Sequence, residues 1–177
     1  MWNLEGIKGQ PVAVTLLSNY LEREIPPLLI LHGPDGVGKW SAAEAFIRHR
    51  FCQTRQGCGN CTPCRKLQNG SHPDLIAFSE EKIQIGDHEN PEEFTVRWLL
   101  RTRIRYAPNE SDLRFILIPR ADLILHEAET ALLKTLEEPP EHTKFIFLTP
   151  DLSLLKETIV SRGLCIPFQR LNRSAMV

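Results

Sequence analysis

Short apolar runs recur along this chain, and segments with helical spacing of apolar residues lie between them. Four-residue, mainly apolar runs occur at 28–31, 75–78, 115–118, 145–148 and 165–168. A continuous apolar run of this length is typical of a strand buried on both faces of a parallel sheet. Apolar residues near a 3.6-residue period predict helices over 10–22, 39–50, 92–106 and 121–138.

The alternation of strands and helices predicts an α/β fold with a parallel five-stranded sheet covered by helices on both faces. We expect one domain over residues 1–171 and a short polar tail at 172–177. Residues 51–73 interrupt the pattern because they are rich in Cys, Gly, Asn and Pro, and they predict a compact inserted loop. Residues 79–92 are polar and acidic and predict an exposed loop.

Composition places the chain among ordinary globular domains. The 177 residues are 42% hydrophobic and 24% charged, and 21 Lys and Arg face 22 Asp and Glu for a net charge of −1. Any contact with nucleic acid must therefore come from a local basic patch. No apolar run approaches the roughly 18–20 residues of a membrane span. Since residues 1–5 lack a signal-peptide pattern, we expect a cytoplasmic protein without membrane contact.

A glycine-rich turn follows the first predicted strand and precedes a predicted helix. It begins at Gly33, contains Gly36 and Gly38, and ends in Lys39, which matches the phosphate-binding pattern G-x-x-x-x-G-K. Glycines allow backbone N–H groups to surround phosphate oxygens, and the lysine reaches the β- and γ-phosphates. The alternative is a glycine turn that matches by chance. ATP or ADP is therefore a candidate ligand.

Two elements that would support magnesium are missing around this turn. The residue after Lys39 is normally Ser or Thr, whose hydroxyl binds Mg²⁺, but here it is Trp40. The third strand of such ATPases usually ends in acidic residues, and here Pro119 and Arg120 follow it. Asp122 is predicted to lie in the next helix. The sequence therefore predicts that Mg·ATP is not hydrolysed, and the alternative is a site with unusual ligands.

Four cysteines lie close together in the inserted segment. Cys52, Cys58, Cys61 and Cys64 form two overlapping C-x-x-C pairs. Four thiolates can complete a tetrahedral Zn²⁺ shell with no open position for water, which predicts a structural zinc. A redox dithiol and an iron–sulfur cluster are the alternatives. His72 is interpreted as a loop residue and not as a ligand.

Several longer strings make the chain recognisable. After the four cysteines come N-G-S-H-P-D-L at 69–75, L-L-K-T-L-E-E-P-P at 132–140 and T-I-V-S-R at 158–162. In this order they resemble the AAA+ domain of the clamp-loader subunits of bacterial DNA polymerase III, over nearly the whole chain from Leu4 to Leu171. The resemblance implies a RecA-like P-loop fold with an inserted zinc module. The helical lid and the collar of that family would lie outside this chain.

The family contains gamma/tau subunits with a complete ATPase site and delta-prime subunits that tend to lose it. Trp40, Pro119 and Arg120 are similar to the delta-prime type, which implies a non-hydrolysing stator. Its partners would be gamma/tau and delta subunits and, through the complex, the sliding clamp and primer–template DNA. The alternatives are an active gamma/tau-type motor and a zinc-containing nucleotide-binding regulator outside replication.

The resemblance also carries two residue roles. Arg162 matches the arginine of the family's Ser-Arg-Cys triplet, which projects onto the γ-phosphate of a neighbouring subunit, although Gly163 replaces the cysteine. An arginine supplied in trans stabilises charge that develops on phosphoryl oxygens. The alternative for Arg162 is a surface salt bridge. Thr149, at the end of the fourth strand, matches the position of a γ-phosphate sensor.

Overall fold

The computed structural model describes residues 4–170, in which five strands form one parallel sheet. The strand order is β2-β3-β4-β1-β5, which confirms the predicted sheet. The strands are β1 (Leu28–His32), β2 (Leu75–Ala77), β3 (Arg114–Ile118), β4 (Thr143–Thr149) and β5 (Leu164–Pro167). The predicted tail at 172–177 lies outside the described residues.

The described residues form six α-helices, of which α1 precedes the first strand and the other five lie between strands. They are α1 (Pro11–Ser18), α2 (Lys39–Phe51), α3 (Thr62–Gln68), α4 (Val96–Leu99), α5 (His126–Glu137) and α6 (Glu157–Val160). A π-helical segment, Leu100–Ile104, continues α4, and short 3₁₀ turns lie at Leu4–Gly6, Ala121–Leu123 and Leu152–Leu154. Within the part of the chain that the structure describes, none of these helices is long and apolar enough to cross a lipid bilayer.

Alternate residues of each strand enter two separate apolar layers. Leu29 and Leu31 of β1 pack with α1, α2 and α3 on one face of the sheet. Leu28 and Ile30 pack with α4, α5 and α6 on the other face. All four side chains are fully buried. Because both faces of β1 are covered, the strand is apolar at every position except its last.

Three predicted helices are shorter than their apolar pattern. The helix predicted at 10–22 ends at Ser18. Beyond its end, Nη1 of Arg50 donates a hydrogen bond to the carbonyl oxygen of Leu21 (2.6 Å). The helix predicted at 92–106 begins only at Val96, because Phe94 has a φ of +59° that a right-handed helix excludes. Thr95 then caps the first turn by accepting from the N–H of Trp98 (3.4 Å).

The helix predicted at 121–138 divides into a 3₁₀ turn and α5. Ile124 leaves the helical path to form a bridge with Ile83, and the N–H of Leu125 donates to the Ile83 carbonyl (3.0 Å). The prediction for 51–73 also missed a helix, because α3 lies inside the segment interpreted as a loop. Seven residues in α3 carry too few apolar positions for periodicity to reveal the helix.

Candidate functional site: phosphate loop, edge arginine and cysteine cluster

The glycine turn joins β1 to α2 at the carboxyl ends of the parallel strands. Parallel α/β sheets bind ligands at this edge. Gly33, Gly36 and Gly38 have positive φ values of 143°, 77° and 97°. At Gly33 a Cβ would lie 2.1 Å from the carbonyl oxygen of Phe168, so only glycine fits there. The three glycines therefore give the loop backbone conformations that other residues rarely adopt.

Lys39, at the start of α2, contacts its own loop. Its ammonium donates to the carbonyl oxygens of Gly33 (2.5 Å) and Pro34 (2.7 Å), and it lies 3.6 Å from the Asp35 carboxylate. The side chain is only 8% exposed. Burial lowers the pKa of Lys39, and Asp35 opposes that effect. A phosphate group would have to compete with these internal acceptors for the ammonium.

Arg120 and Asp122 form a closed ion pair where β3 leaves the sheet. The Nε of Arg120 donates to one carboxylate oxygen (3.0 Å) and its Nη2 to the other (2.6 Å). This bidentate pair lowers the pKa of Asp122, first through the hydrogen bond from Arg120. Asp122 lies in the 3₁₀ turn and not in α5 as predicted. Its carboxylate is thus already bound by a guanidinium.

A cleft of about 480 Å³ opens between the glycine loop and the end of β3. Its charged lining consists of Lys39 and Arg120 together with Asp35 and Glu80, so the positive and negative charges balance. Trp40, which is 42% exposed, lines it too. Sequence reasoning missed Glu80. The available signal was that it follows β2, whose carboxyl end lies at the same edge of a parallel sheet.

Thr149 is the last residue of β4 and pairs in register with His32 at the end of β1. The residue is fully buried, and its hydroxyl donates to the carbonyl oxygen of Asp151 (2.8 Å). The residue therefore lies beside the phosphate loop, as its position in the sequence implies. Its hydroxyl, however, already has an acceptor of its own.

Arg162 lies at the opposite edge of the sheet, immediately before β5. Leu164, the first residue of β5, pairs with Leu29, four residues before Gly33. At roughly 3.3 Å per residue, four residues span about 13 Å, and Arg162 lies still further from the loop. Its guanidinium instead donates to the Thr158 carbonyl (2.6 Å) and to the Glu137 carboxylate (2.8 Å). Arg162 is therefore not part of the cleft of its own chain.

Gly163 follows Arg162 in the sequence, and the structure leaves no room for a side chain at this position. A Cβ at this position would lie 2.5 Å from Cδ1 of Ile30 and 3.2 Å from Cδ2 of Leu28, both fully buried. The cysteine of the family's triplet would require these core side chains to move. Glycine therefore fits against Ile30 without displacing it.

The four cysteines of the inserted segment converge. Their Sγ atoms all lie within 4.8 Å of one another, and the Sγ atoms of Cys52 and Cys61 are 3.9 Å apart. Zn–S bonds of about 2.3 Å in a tetrahedron require sulfur atoms roughly 3.8 Å apart, so the cluster fits a metal of this kind. Cys52 caps the C-terminus of α2, Cys61 caps the N-terminus of α3 and Cys64 lies within α3, so the cluster joins these two helices.

The surroundings of the thiols differ. Burial alone would raise the pKa of Cys52, but hydrogen bonds from the Thr54 hydroxyl and from backbone N–H groups lower it to about 5. Burial raises the pKa of Cys64 to about 12. A bound cation would provide the positive charge that a thiolate at Cys64 lacks. The set of four sulfurs is therefore chemically suited to hold a metal ion.

His72 lies outside this cluster of four sulfur atoms. Its ring is buried and stacks on Phe51 (centroids 4.2 Å apart), and Nδ1 accepts from the N–H of Asp74 (3.2 Å). Asp74 in turn accepts N–H groups of Asn109, Glu110 and Ser111. The H-P-D string is thus a buried structural element that closes the segment before β2.

Comparison with known proteins shows which proteins this chain is similar to. The profile of the family described as "DNA polymerase III, delta subunit" matches residues 9–172. The tau subunit of DNA polymerase III from Bacillus subtilis is 30% identical over 98% of this chain, and the delta' subunit from the same organism is 30% identical over 94%. The chain spans 30% and 50% of these two relatives.

Solved structures agree on the fold. A gamma-subunit-related protein of DNA polymerase III from Thermotoga maritima superposes with a TM-score of 0.58 at 17% identity, over 92% of this chain and 47% of that one. RuvB from the same organism gives a TM-score of 0.59 at 16% identity, over 96% and 48%. These likenesses show an AAA+ fold, and the family profile, which covers most of the sequence, shows that the chain belongs to the DNA polymerase III delta subunit family.

Proposed function

We propose that this chain is the AAA+ domain of a non-hydrolysing, delta-prime-like stator subunit of a DNA polymerase III clamp loader. In this role it helps to load the sliding clamp onto primer–template DNA, together with gamma/tau and delta subunits. The observation that carries the proposal is the pairing of Arg120 with Asp122 at the end of β3. It places a guanidinium where an ATPase of this fold holds metal-binding carboxylates.

The chemistry of hydrolysis requires oxygen ligands for magnesium and a base near the attacking water. Trp40 and Pro119 provide no side-chain oxygen, and the carboxylate of Asp122 is bound by Arg120. Lys39 is engaged by Gly33 and Pro34. These contacts favour weak nucleotide binding and no turnover by this subunit.

The position of Arg162 supports a role in trans. It lies at the amino edge of the sheet, away from the cleft of its own chain, and its side chain is 32% exposed. A guanidinium presented at a subunit boundary can stabilise charge on the γ-phosphate of a neighbour. We therefore assign Arg162 as the arginine finger for an adjacent ATPase subunit.

The cysteine cluster is assigned to a structural zinc held by Cys52, Cys58, Cys61 and Cys64. Four protein ligands leave no coordination position for a substrate or an activated water, so the metal would have no catalytic role. Its function is to hold the inserted segment against the end of α2.

Three measurements test the proposal. The chain alone should show no ATP turnover, and calorimetry with millimolar Mg·ATP should show weak binding or none. In a clamp loader reconstituted with the ATPase subunits of the same organism, Arg162→Ala should lower turnover strongly. Arg23→Ala, which removes an exposed arginine before β1, is the matched control and should leave turnover unchanged. Normal turnover with Arg162→Ala would contradict the role in trans.

An active motor is the second candidate, because Glu80 places one carboxylate in the cleft. It requires DNA-stimulated ATP turnover by the chain that is lost in Lys39→Ala. Turnover of that kind would replace the stator proposal.

A further inference from the structure

The segment 132–140 ends α5 with two glutamates followed by two prolines, and the phosphate cleft gives these residues no role. Glu137 is the last residue of α5, and its carboxylate accepts from Nη2 of Arg162 (2.8 Å). A carboxylate at a helix C-terminus faces the negative end of the helix dipole and is locally unfavourable. The ion pair with Arg162 offsets this unfavourable interaction with the helix dipole.

Neighbouring residues on both sides fix the backbone at Glu137. Leu136, the preceding residue, is 5% exposed and packs in the apolar layer formed by α5 and β4. Pro139 and Pro140 follow closely, and their rings restrict the backbone φ after the helix. Glu137 is thus held from both sides while its own side chain remains 53% exposed.

Two contacts on different elements orient the guanidinium of Arg162. Nη1 donates to the Thr158 carbonyl in α6 (2.6 Å), and Nη2 donates to Glu137 at the end of α5 (2.8 Å). An arginine has many rotamers, and contacts at both Nη atoms select a narrow subset of them. A guanidinium has five N–H donors and this side chain is 32% exposed, so donors remain for an acceptor on another molecule.

We propose that Glu137 is a positioning residue that orients Arg162 toward the nucleotide of a neighbouring subunit. The inference rests on the proposed role of Arg162 in trans. An exposed ion pair contributes little to stability, so the consequence of losing Glu137 is a misplaced guanidinium and not an unfolded chain. Misplacement by about 1 Å can lower a catalytic rate about 100-fold.

The test uses the clamp loader reconstituted with the ATPase subunits of the same organism. Glu137→Ala should lower kcat for ATP hydrolysis at the site that Arg162 serves by about 10-fold, with KM for ATP nearly unchanged. Glu137→Gln retains an oxygen acceptor at the same place and should recover part of the rate. Glu138→Ala removes the adjacent exposed glutamate and is the matched control. Complex assembly and thermal unfolding should not change in any of these variants.

The outcomes separate this inference from the proposed function. If Arg162→Ala lowers kcat and Glu137→Ala does not, the positioning role is wrong and the finger stands. If Arg162→Ala has no effect, both are wrong. A higher kcat in Glu137→Ala would mean that Glu137 restrains Arg162 in an inactive place, which also overturns the proposal. A rise in KM with unchanged kcat would point to a nucleotide-binding role and would overturn it as well.

Discussion

Gly163 is a position where one added methyl group has a calculable effect on the core. The Cβ of Gly163→Ala would lie 2.5 Å from Cδ1 and 2.7 Å from Cγ1 of Ile30. Ile30 is fully buried, so it cannot move aside without disturbing the layer that it shares with Phe145 and Phe147. Overpacking of this kind costs about 1–3 kcal/mol, and the reduced freedom of the unfolded chain returns about 0.4–1 kcal/mol. We expect a net loss of about 1–2 kcal/mol in the free energy of unfolding.

A double-mutant cycle isolates the steric contact. Ile30→Val removes Cδ1, the nearest atom, and alone should cost about 0.5–1.5 kcal/mol. Combined with Gly163→Ala it should cost less than the sum of the two, by up to roughly 1 kcal/mol, because the closest contact is removed while the contact with Cγ1 at 2.7 Å remains. Urea unfolding monitored by far-UV circular dichroism measures each variant, and the m-value should stay constant.

The control for the cycle is Gly70→Ala. A Cβ at Gly70 meets nothing within 4 Å, so this variant has only the conformational cost of a φ of +64°. Its effect should add to that of Ile30→Val. If Gly163→Ala is as stable as the parent, or if its effect is additive with Ile30→Val, the packing argument for glycine behind the arginine is refuted.

Three further predictions concern the rest of the molecule. Burial alone would raise the pKa of Asp74, but N–H donors from 109–111 lower it below 3.8. Asp74→Asn should therefore cost at least about 2 kcal/mol of unfolding free energy at pH 7, and this difference from the parent should shrink as the pH falls below 3.8. Urea unfolding from pH 7 to pH 3 measures both effects. Chelation of zinc-loaded protein, starting with free zinc at about 100 times its Kd, should lower the free energy of unfolding by about 2.7 kcal/mol and Tm by about 5–11 °C. Native mass spectrometry should show that Cys64→Ser loses the one bound metal and that Cys165→Ser retains it. Gly33→Ala should lose at least about 2 kcal/mol because its Cβ would lie 2.1 Å from the Phe168 oxygen; a Tm equal to that of the parent would contradict the close approach of these two segments.

The sequence by itself determined the features that depend on local order. Continuous apolar runs predicted all five strands to within two residues at each end, because a strand buried on both faces has no polar alternation to obscure it. The spacing of the glycines before Lys39 and of the four cysteines is also local. Segments that turn tightly bring such residues together over short stretches of chain, so the glycine turn before α2 and the convergence of the thiols followed from the sequence alone.

Only the tertiary structure decided which charges neutralise each other and which edge of the sheet each group occupies. Arg120 could equally have faced the cleft alone, and its closure on Asp122 depends on the 3₁₀ turn that follows β3. Glu80 enters the cleft because β2 is parallel to β3, and Arg162 meets Glu137 because β5 is parallel to β1 and α6 packs beside α5. The Arg162–Glu137 contact joins residues 25 positions apart, the position of Glu80 follows from strand direction, and the Arg120–Asp122 pair depends on a local turn. Periodicity along the chain carries no information about any of these.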